Sequence, residues 1–298
     1  MEGIIIEVKP EKYVVKLKNK EDVLATIRGS VKKKEKVLVG DIVEVKKEMD
    51  TFVIEKVHKK KNSLIRPAIA NIDQMFCVVS KNYPEPDLNV LDKQIILCEK
   101  NNINPVICIN KTDLEEENSK YKYIKEVYSK IGYTVIDVSA EKEIGLEEIK
   151  KLLANKISAF SGLSGVGKSS LMTKILDIKE EIEVGHLMKK INRGKHTTKY
   201  VKLYEVADGL LADTPGFSSL ELLDGIEKDE LKNYYPEFRM YTCKYLDCNH
   251  YLETEEECMV KKEVANQNID KGRYDRYKKM YIDLEIKDKM KYKNKRRK

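Results

Sequence analysis

The first 62 residues alternate short apolar runs with charged and turn-forming residues. The runs GIIIEV, YVVKL, VLATIRG, KVLVGDIVEV and TFVIEKV are rich in β-branched residues and mostly alternate apolar with polar positions. Turn signals separate them near Asn19, Gly29, Gly40 and Asp50. The pattern predicts five antiparallel strands in a small barrel, for which an OB-fold and an SH3-like barrel are both candidates.

From Asn71 onward, apolar strands alternate with amphipathic helices. The runs QMFCVVS, PVICIN, TVIDVSA and ISAFSG predict strands, and LNVLDKQIILCEK, EEENSKYKYIKEVYSKIG and GLEEIKKLLANK predict helices. This order is typical of a mainly parallel sheet covered by helices on both faces. After Asp224 the chain becomes helical and basic. We therefore predict an all-β domain at 1–65, an α/β domain at 66–224 and an α-helical domain at 225–298.

Charge is distributed unevenly along the chain. The formal net charge is +7, and residues 287–298 (KDKMKYKNKRRK) hold eight basic residues and one acidic residue. Residues 1–61 carry sixteen basic and eleven acidic residues, so the middle of the chain is acidic. Two basic ends favour contact with a polyanion, although solvated lysine-rich faces would give the same composition. Because no run of about 18 apolar residues is present and Met1 leads into a charged strand pattern, we expect no membrane span and a cytoplasmic protein. We also expect a monomer.

A phosphate-binding motif follows the strand ISAF. The segment GLSGVGKS matches GxxxxGK[ST] and leads into the helical run SSLMTKIL. Its glycines allow backbone N–H groups to surround phosphates, Lys168 would reach the β- and γ-phosphates, and Ser169 would ligate Mg²⁺. The alternative is a loop that matches by chance, against which both flanking elements argue. The predicted nucleotide contacts are Gly162, Leu163, Ser164, Gly165, Val166, Gly167, Lys168, Ser169 and Ser170.

A second acidic position follows further along the chain, where GLLADTPG places Asp213 at the end of an apolar strand. A carboxylate there suits Mg²⁺ held through water, with the Gly216 N–H near the γ-phosphate. Taken alone, DTPG is an ordinary turn signal. Its position after the phosphate motif makes Asp213 a candidate magnesium residue.

The choice of base is indicated by Asn110, Lys111, Thr112 and Asp113, which follow the strand PVICI. The Asp113 carboxylate would accept hydrogen bonds from guanine N1–H and the 2-amino group, donors that adenine lacks. Asn110 would tie this loop to the phosphate loop, and the Lys111 stem would cover the base. Asp113 could also cap the helix beginning at LEEE, and both roles are compatible.

The dipeptide Ser139-Ala140 follows the strand TVIDV, where a backbone N–H could reach guanine O6. The dipeptide by itself has almost no specificity. Its position after NKTD makes it a candidate part of the base site.

The order of these motifs is unusual, because NKTD and SA precede GLSGVGKSS, RGKHTT and DTPG. In ordinary GTPases the phosphate loop comes first. The chain resembles the circularly permuted bacterial GTPases of the RsgA (YjeQ/YloQ) family over nearly its whole length, including RPAIANIDQ at 66–74. The resemblance implies an N-terminal OB-fold barrel, a central circularly permuted P-loop GTPase, a C-terminal zinc-binding domain and a role in late 30S maturation.

The resemblance also assigns RGKHTT at 193–198 to switch I. One threonine would complete the Mg²⁺ shell; the family pattern favours Thr198, and Thr197 remains open on spacing. Phe217 stands where many GTPases carry a water-orienting glutamine, so the polar group must come from elsewhere. His196 is the nearest candidate, with a structural or RNA-facing histidine as the alternative. The predicted catalytic residues are therefore Lys168, His196 and Thr198.

The six cysteines fall into two groups. Three of them, Cys77, Cys98 and Cys108, lie in apolar runs and are typical of core residues. Three thiolates and one imidazole near the C-terminus match a closed structural Zn²⁺ site, which we expect to hold together a segment with little core of its own. Its predicted ligands are Cys243, Cys248, His250 and Cys258. The interval before Cys258 is longer than is usual in the family that the chain resembles.

Two functional hypotheses follow. In the first, the protein binds the 30S subunit and its 16S rRNA, and hydrolyses GTP to GDP with Mg²⁺ so that it or other factors leave. In the second, it is a GTP-gated rRNA-binding scaffold in which hydrolysis is incidental. Retention of a hydrolysis-blocked form on 30S subunits would distinguish them.

Overall fold

The fold is described from a computed structural model covering residues 1–32, 36–65, 67–115, 118–177, 201–213 and 223–295. Strands near the N-terminus form a barrel, and a parallel sheet with helices forms the central part. Helices and an aromatic core form the C-terminal part. No helix in these ranges combines the length and apolar character needed to cross a membrane.

The N-terminal barrel closes in the order β1-β2-β3-β5-β4, with β4 returning to β1. Its alternating apolar side chains point inward, and Ile5, Val15, Val43 and Ile54 are fully buried. The prediction of five strands is confirmed, but β3 and β5 pair in parallel, so the all-antiparallel prediction is wrong. Closure of the Greek-key barrel brings together two strands that run in the same direction, which is the arrangement of an OB-fold. The strands are β1 Glu2–Lys9, β2 Lys12–Leu17, β3 Asp22–Ile27, β4 Ile42–Glu48 and β5 Thr51–Val57, with a short helix α1 Gly29–Lys32 before β4.

A short two-stranded sheet joins the barrel to the central domain. It consists of β6 Ser63–Leu64 and β7 Ile69–Ala70. Asn71 Nδ2 donates to the Gly40 carbonyl at 2.9 Å, and a Cβ on Gly40 would lie 2.1 Å from the Ala70 carbonyl oxygen. The linker therefore contacts the barrel at a position where only glycine fits.

The central sheet has the order β10-β9-β8-β11-β13-β12. Five of these strands are parallel, and β12 pairs with β13 in the antiparallel direction. Every residue of β8 is buried, as expected for a central parallel strand with both faces covered. The strands are β8 Gln74–Ser80, β9 Asn104–Asn110, β10 Thr134–Asp137, β11 Ile157–Ser161, β12 Lys202–Val206 and β13 Gly209–Asp213.

Helices cover both faces of this sheet, as the βαβ pattern predicts. On one face lies α2 Leu88–Lys100, beside a continuous helical segment over residues 119–131. That segment comprises α3 Ser119–Tyr123, a π-helical turn Ile124–Tyr128 and α4 Ser129–Ile131. On the other face lie α5 Leu146–Leu153 and α6 Lys168–Ile175. As predicted, the core cysteines are fully buried: Cys77, Cys98 and Cys108.

The barrel continues the central sheet, because β1 pairs with the edge strand β12 through Glu7 and Lys202. Two ion pairs support this junction: Lys16 with Glu205 at 2.7 Å, and Lys20 with Asp208 at 2.9 Å. Together the two domains form one sheet of eleven strands. The hairpin β12–β13, which ends at Asp213, is therefore the part of the central sheet that pairs with the barrel.

The C-terminal region contains two 3₁₀ helices and two α-helices around an aromatic core. The fully or nearly buried rings include Tyr235, Phe238 and Tyr277, and the Tyr235 and Phe238 rings stack at 4.9 Å between centroids. This core contradicts the expectation that the segment has little core of its own. Tyrosine and phenylalanine spaced among charged residues conceal a core that appears only when the helices meet. The helices are the 3₁₀ turns Lys228–Tyr234 and Pro236–Phe238, α7 Met259–Ala265 and α8 Lys271–Lys295.

Candidate functional site

The phosphate motif forms the turn between the end of β11 and the start of α6. Gly162 has a φ of 154°, and a Cβ there would lie 2.4 Å from the Val78 carbonyl oxygen. Gly167 has a φ of 95°, and its Cβ would lie 2.2 Å from Asn110 Nδ2. Glycine is therefore required at both positions by backbone conformation and by close neighbours. The loop leaves the sheet at the carboxyl ends of its strands, where α/β proteins bind ligands.

Lys168 lies at the start of α6 and folds back over the loop. Its Nζ donates to the carbonyl oxygens of Gly162 at 2.8 Å and Leu163 at 2.7 Å. Burial lowers the pKa of Lys168 to about 8. A phosphate group at this position would favour the charged form of Lys168 and raise that pKa.

Asn110 links three segments of the site, as the sequence suggested. Its Nδ2 donates to the Val166 carbonyl in the phosphate loop at 2.9 Å. Its Oδ1 accepts a hydrogen bond from the Ala140 backbone N–H at 3.1 Å. The NKTD, SA and phosphate-loop segments are therefore joined by one buried amide.

Lys111 lies beside the phosphate loop. Its Nζ donates to the carbonyl oxygens of Gly165 at 2.8 Å and Tyr83 at 2.7 Å. These bonds hold the side chain along the wall of the pocket. The Thr112 hydroxyl donates to the Val138 carbonyl at 2.8 Å, which fixes the loop against the end of β10.

Asp113 is oriented by the side chain of Ser139. From the sequence, only a backbone N–H of Ser139-Ala140 was expected to take part in the site. Ser139 Oγ donates to Asp113 Oδ1 at 2.5 Å, and the Lys142 N–H donates to Ser139 Oγ at 3.0 Å. The helix-capping interpretation of Asp113 is wrong, because α3 begins at Ser119 and Asn118 caps it by accepting from the Lys120 N–H. The pairing of a serine hydroxyl with a carboxylate from another loop has no local sequence signal.

A cavity of about 430 Å³ lies between these loops. Its volume suits a nucleoside-sized ligand. Lys174 and Glu143 form an ion pair of 2.6 Å at one side of it. Sequence reasoning did not single out four of the lining residues: Leu114, Glu141, Thr173 and Lys174. The full lining is Asn110, Lys111, Asp113, Leu114, Ala140, Glu141, Gly167, Ser170, Thr173 and Lys174.

The remaining predicted nucleotide residues are only partly described. Asp213 ends β13, whose Ala212 pairs in parallel with Ala159 of β11, so its backbone lies at the same edge of the sheet as the phosphate loop. Five predicted positions lie outside the described residues: His196, Thr197, Thr198, Gly216 and Phe217.

The predicted metal ligands converge in the C-terminal region. One ligand atom from each of Cys243, Cys248, His250 and Cys258 lies within 4.8 Å of the others. His250 Nδ1 is 3.5, 3.3 and 3.4 Å from the three sulfurs in chain order. The longer interval before Cys258 does not remove it from the cluster. This group of donors could hold a metal ion.

The chemistry of the cluster fits a soft divalent cation. Burial lowers the pKa of His250 to about 4, so its imidazole is neutral and available as a ligand. Burial raises the pKa of the Cys248 and Cys258 thiols, and a bound cation would reverse this shift by favouring thiolates. The surrounding bonds fix the loop: Tyr274 donates to the His250 carbonyl at 2.7 Å, and Lys232 donates to the Cys248 carbonyl at 2.9 Å.

Comparison with known proteins agrees with this geometry. The model of the RsgA GTPase family matches residues 57–223. A small ribosomal subunit biogenesis GTPase RsgA from Clostridium beijerinckii is 42% identical over 253 residues, covering 84% of this chain and 86% of the relative. The protein of the same name from Clostridium perfringens (strain ATCC 13124) is 40% identical over 280 residues, covering 93% and 96%.

Two solved structures have the same fold. The crystal structure of YjeQ from Thermotoga maritima aligns with a TM-score of 0.82 and 37% identity, covering 95% of this chain and 98% of that one. The structure of YloQ, a circularly permuted GTPase, aligns with a TM-score of 0.79 and 33% identity, covering 96% and 95%. By its motifs, its fold and these relatives, the chain belongs to the RsgA GTPase family.

Proposed function

We propose that this chain is a GTP hydrolase that binds the 30S ribosomal subunit and hydrolyses GTP during late small-subunit maturation. The observation that carries the proposal is the buried Asn110 amide, which joins the permuted base motif to the phosphate loop at 2.9 Å. The relatives' names supply the small ribosomal subunit as the partner. A cytoplasmic location follows from that partner. The domain division at 1–65, 66–224 and 225–298 belongs to the same proposal.

Guanine selectivity is assigned to Asp113. Ser139 holds one carboxylate oxygen in place, and the carboxylate lies at the wall of the cavity. Guanine offers two donors to such a carboxylate, whereas adenine offers none at those positions. Asn110, Lys111 and Thr112 shape the loop, and Ala140 lines the cavity beside it while its backbone N–H donates to Asn110 Oδ1.

Phosphate and magnesium binding are assigned to the loop 162–170 and to Asp213. Lys168 would exchange its two carbonyl partners for phosphate oxygens, and Ser169 at the start of α6 would ligate Mg²⁺. The N-terminus of α6 adds the positive end of its dipole. Thr198 and His196 complete the proposal as magnesium ligand and water-orienting residue.

The metal in the C-terminal cluster is proposed to be one structural Zn²⁺. Three thiolates and an imidazole are a common closed tetrahedral set for this ion. With four protein ligands no position remains for water or substrate, so the ion would fix the loop between Cys243 and Cys258 and take no part in hydrolysis.

The 16S rRNA is the proposed contact of the two basic ends. The barrel belongs to a fold that commonly binds nucleic acid, and α8 runs into the lysine-rich C-terminus. The alternative scaffold function uses the same residues. It differs in one outcome, namely whether hydrolysis is needed for release.

The distinguishing experiment is co-sedimentation of the full chain with purified 30S subunits in GTP. The Thr198→Ala variant, which blocks hydrolysis in this proposal, should remain bound while the parental protein is released. Asp113→Asn serves as the control, because it should fail to bind GTP and should not be trapped. Equal release of the parental and Thr198→Ala proteins would favour the scaffold.

A further inference from the structure

Helix α2 buries polar side chains toward two different parts of the molecule. Asp92 is 0% exposed and Gln94 is 1% exposed. The rest of its buried surface is mainly apolar, including Leu91 and Ile95. Buried polar groups are unfavourable unless they are hydrogen-bonded, so the partners of these two residues indicate what the helix connects.

Gln94 connects α2 to the phosphate loop. Its Nε2 donates to Ser161 Oγ at 2.9 Å, and both side chains are buried. Ser161 is the last residue of β11 and directly precedes Gly162. A displacement of α2 would therefore change the position from which the phosphate loop begins.

Asp92 connects α2 to the C-terminal helix α8. Its Oδ1 accepts from Arg273 Nη1 and from the Tyr128 hydroxyl, each at 2.5 Å, and its Oδ2 accepts from Arg276 Nε at 2.5 Å. Arg273 also donates to Glu237 in the second 3₁₀ helix. Two carboxylates and two guanidinium groups thus balance their charges in a cluster that we call the Asp92 junction, formed by Asp92, Glu237, Arg273 and Arg276.

The Asp92 junction fixes geometry more than it adds stability. Burying charges has a large desolvation cost, and apolar residues of similar volume often stabilise a fold as well or better. Although burial opposes it, the carboxylates of Asp92 and Glu237 keep the pKa of Arg273 above its ordinary value, so the charged cluster persists. Charge-assisted hydrogen bonds are short and directional, and Asp92 receives one from each of two arginines on α8, so α2 and α8 are held in one relative position.

Further contacts make α2 part of the C-terminal core as well as of the central domain. Ile96 belongs to the aromatic core cluster that includes Tyr235 and Tyr277. Glu99 accepts from Arg239 Nη2 at 2.9 Å, and Lys100 donates to the Gly225 carbonyl. All of these contacts lie on one 13-residue helix.

We propose that α2 couples the metal-binding domain to the phosphate loop, with Asp92 and Gln94 as the positioning residues at its two contacts. Nucleotide in the phosphate loop then stabilises one position of α2, and the Asp92 junction passes that position to α8 and the metal-binding loop. This proposal rests on the proposed function, because the 30S subunit is the partner whose binding the coupling would affect.

The test is hydrogen exchange of the full chain, with and without saturating GDP. In the parental protein, GDP should slow exchange in α8 around residues 273–284 about fivefold or more, the lower end of ordinary coupling between sites. In Asp92→Asn, GDP should still protect the phosphate loop, but protection of α8 should be lost. Arg276→Lys, which keeps the charge at a partly exposed position, is the milder variant should Asp92→Asn fail to fold.

The matched control is Tyr277→Phe on the same helix. It removes a partly buried hydrogen bond to the Asn249 carbonyl at 2.5 Å and leaves the Asp92 junction intact, so the GDP response of α8 should persist. Absence of a GDP response in parental α8, or an unchanged response in folded Asp92→Asn and Arg276→Lys, would overturn the coupling. GTP turnover with 30S subunits is measured separately. A parental protein that shows the exchange coupling but no response to subunits would refute the proposed function alone.

Discussion

At the residue scale, the base recognition that we propose depends on a carboxylate held in place by its neighbours. Asp113 Oδ1 accepts a hydrogen bond from Ser139 Oγ at 2.5 Å, and Ser139 is itself held by the Lys142 N–H. Asp113 shares the cavity wall with Asn110 and Ala140. A preorganised acceptor loses little freedom when the base binds, which favours selectivity as well as affinity.

Asp113→Asn should change the base preference of the nucleotide site from guanine to xanthine. The asparagine amide would donate to the xanthine 2-oxo group, whereas guanine would present its 2-amino donor to another donor. We expect GTP affinity to fall by about 100-fold or more and XTP affinity to exceed it, as for other sites that lose a buried hydrogen bond. Equilibrium binding of both nucleotides measures this. Unchanged preference for GTP would remove Asp113 from the base site.

Lys168 provides a pH signature at the same scale. Burial lowers its pKa to about 8, and a bound phosphate would raise it, so nucleotide binding above pH 8 should take up a proton. We expect clear proton uptake on GDP binding at pH 8.5, where the free site is largely deprotonated, and much less at pH 7, where Lys168 is already charged. Calorimetry in buffers of different ionisation enthalpy measures the uptake. Binding without proton uptake at pH 8.5 would place the phosphates away from Lys168.

At the element scale, the C-terminal domain combines a metal cluster with an aromatic core. Cys248 and Cys258 are buried within the same core cluster as Tyr235, Phe238 and Tyr277. The metal would therefore order the loop that carries the ligands, while the rings hold α8 against the 3₁₀ helices. This division of roles follows from the structure, because the sequence alone suggested that the metal was the main source of order.

Metal analysis of the native protein should find one Zn²⁺ per chain. Cys248→Ala should lose it and make the loop between residues 243 and 258 sensitive to protease, while α8 remains helical and GDP affinity changes by less than about twofold. Limited proteolysis and circular dichroism distinguish the loop from the helix. Tyr241→Phe, which leaves every ligand in place, is the control. A metal-free native protein with an ordered loop would contradict the zinc proposal.

Most elements of the central domain could be predicted from sequence, because parallel strands buried on both faces give continuous apolar runs such as QMFCVVS. The phosphate and base motifs could also be predicted, because each is a short segment of sequence with one required geometry. Long-range pairings could not be predicted. The parallel contact of β3 with β5, the contact of Glu7 with Lys202 and the Ser139–Asp113 bond all join segments distant in sequence. No local pattern encodes which distant partner is chosen.

At the scale of the whole molecule, the barrel and the metal-binding domain contact different parts of the GTPase domain. The barrel extends the sheet at β12, next to the strand that ends in Asp213. The metal-binding domain packs on α2, which also contacts the base of the phosphate loop. The barrel is thus joined through β12 to the strand that ends in Asp213, and the C-terminal domain is joined through α2 to Ser161, which precedes the phosphate loop.

The basic C-terminus should contribute to rRNA binding through phosphate contacts. Removal of residues 287–298 should weaken binding to 30S subunits and reduce the slope of log affinity against log salt, because fewer counterions are released. GDP affinity should stay the same, since the described lining of the cavity comes from residues between Asn110 and Lys174. Co-sedimentation across a salt series measures both quantities. An unchanged slope would assign the rRNA contacts to other surfaces.

GTP turnover by the purified full chain, with and without 30S subunits, tests the central claim most directly. We predict phosphate release from GTP but not from ATP, and a severalfold increase in its rate when subunits are added. Lys168→Ala should lose both the basal and the subunit-stimulated GTPase activity. Hydrolysis of ATP at a comparable rate, or a rate for Lys168→Ala equal to that of the parental protein, would contradict it. A GTPase rate that does not respond to 30S subunits would contradict the proposed partner and leave the GTP hydrolase activity standing.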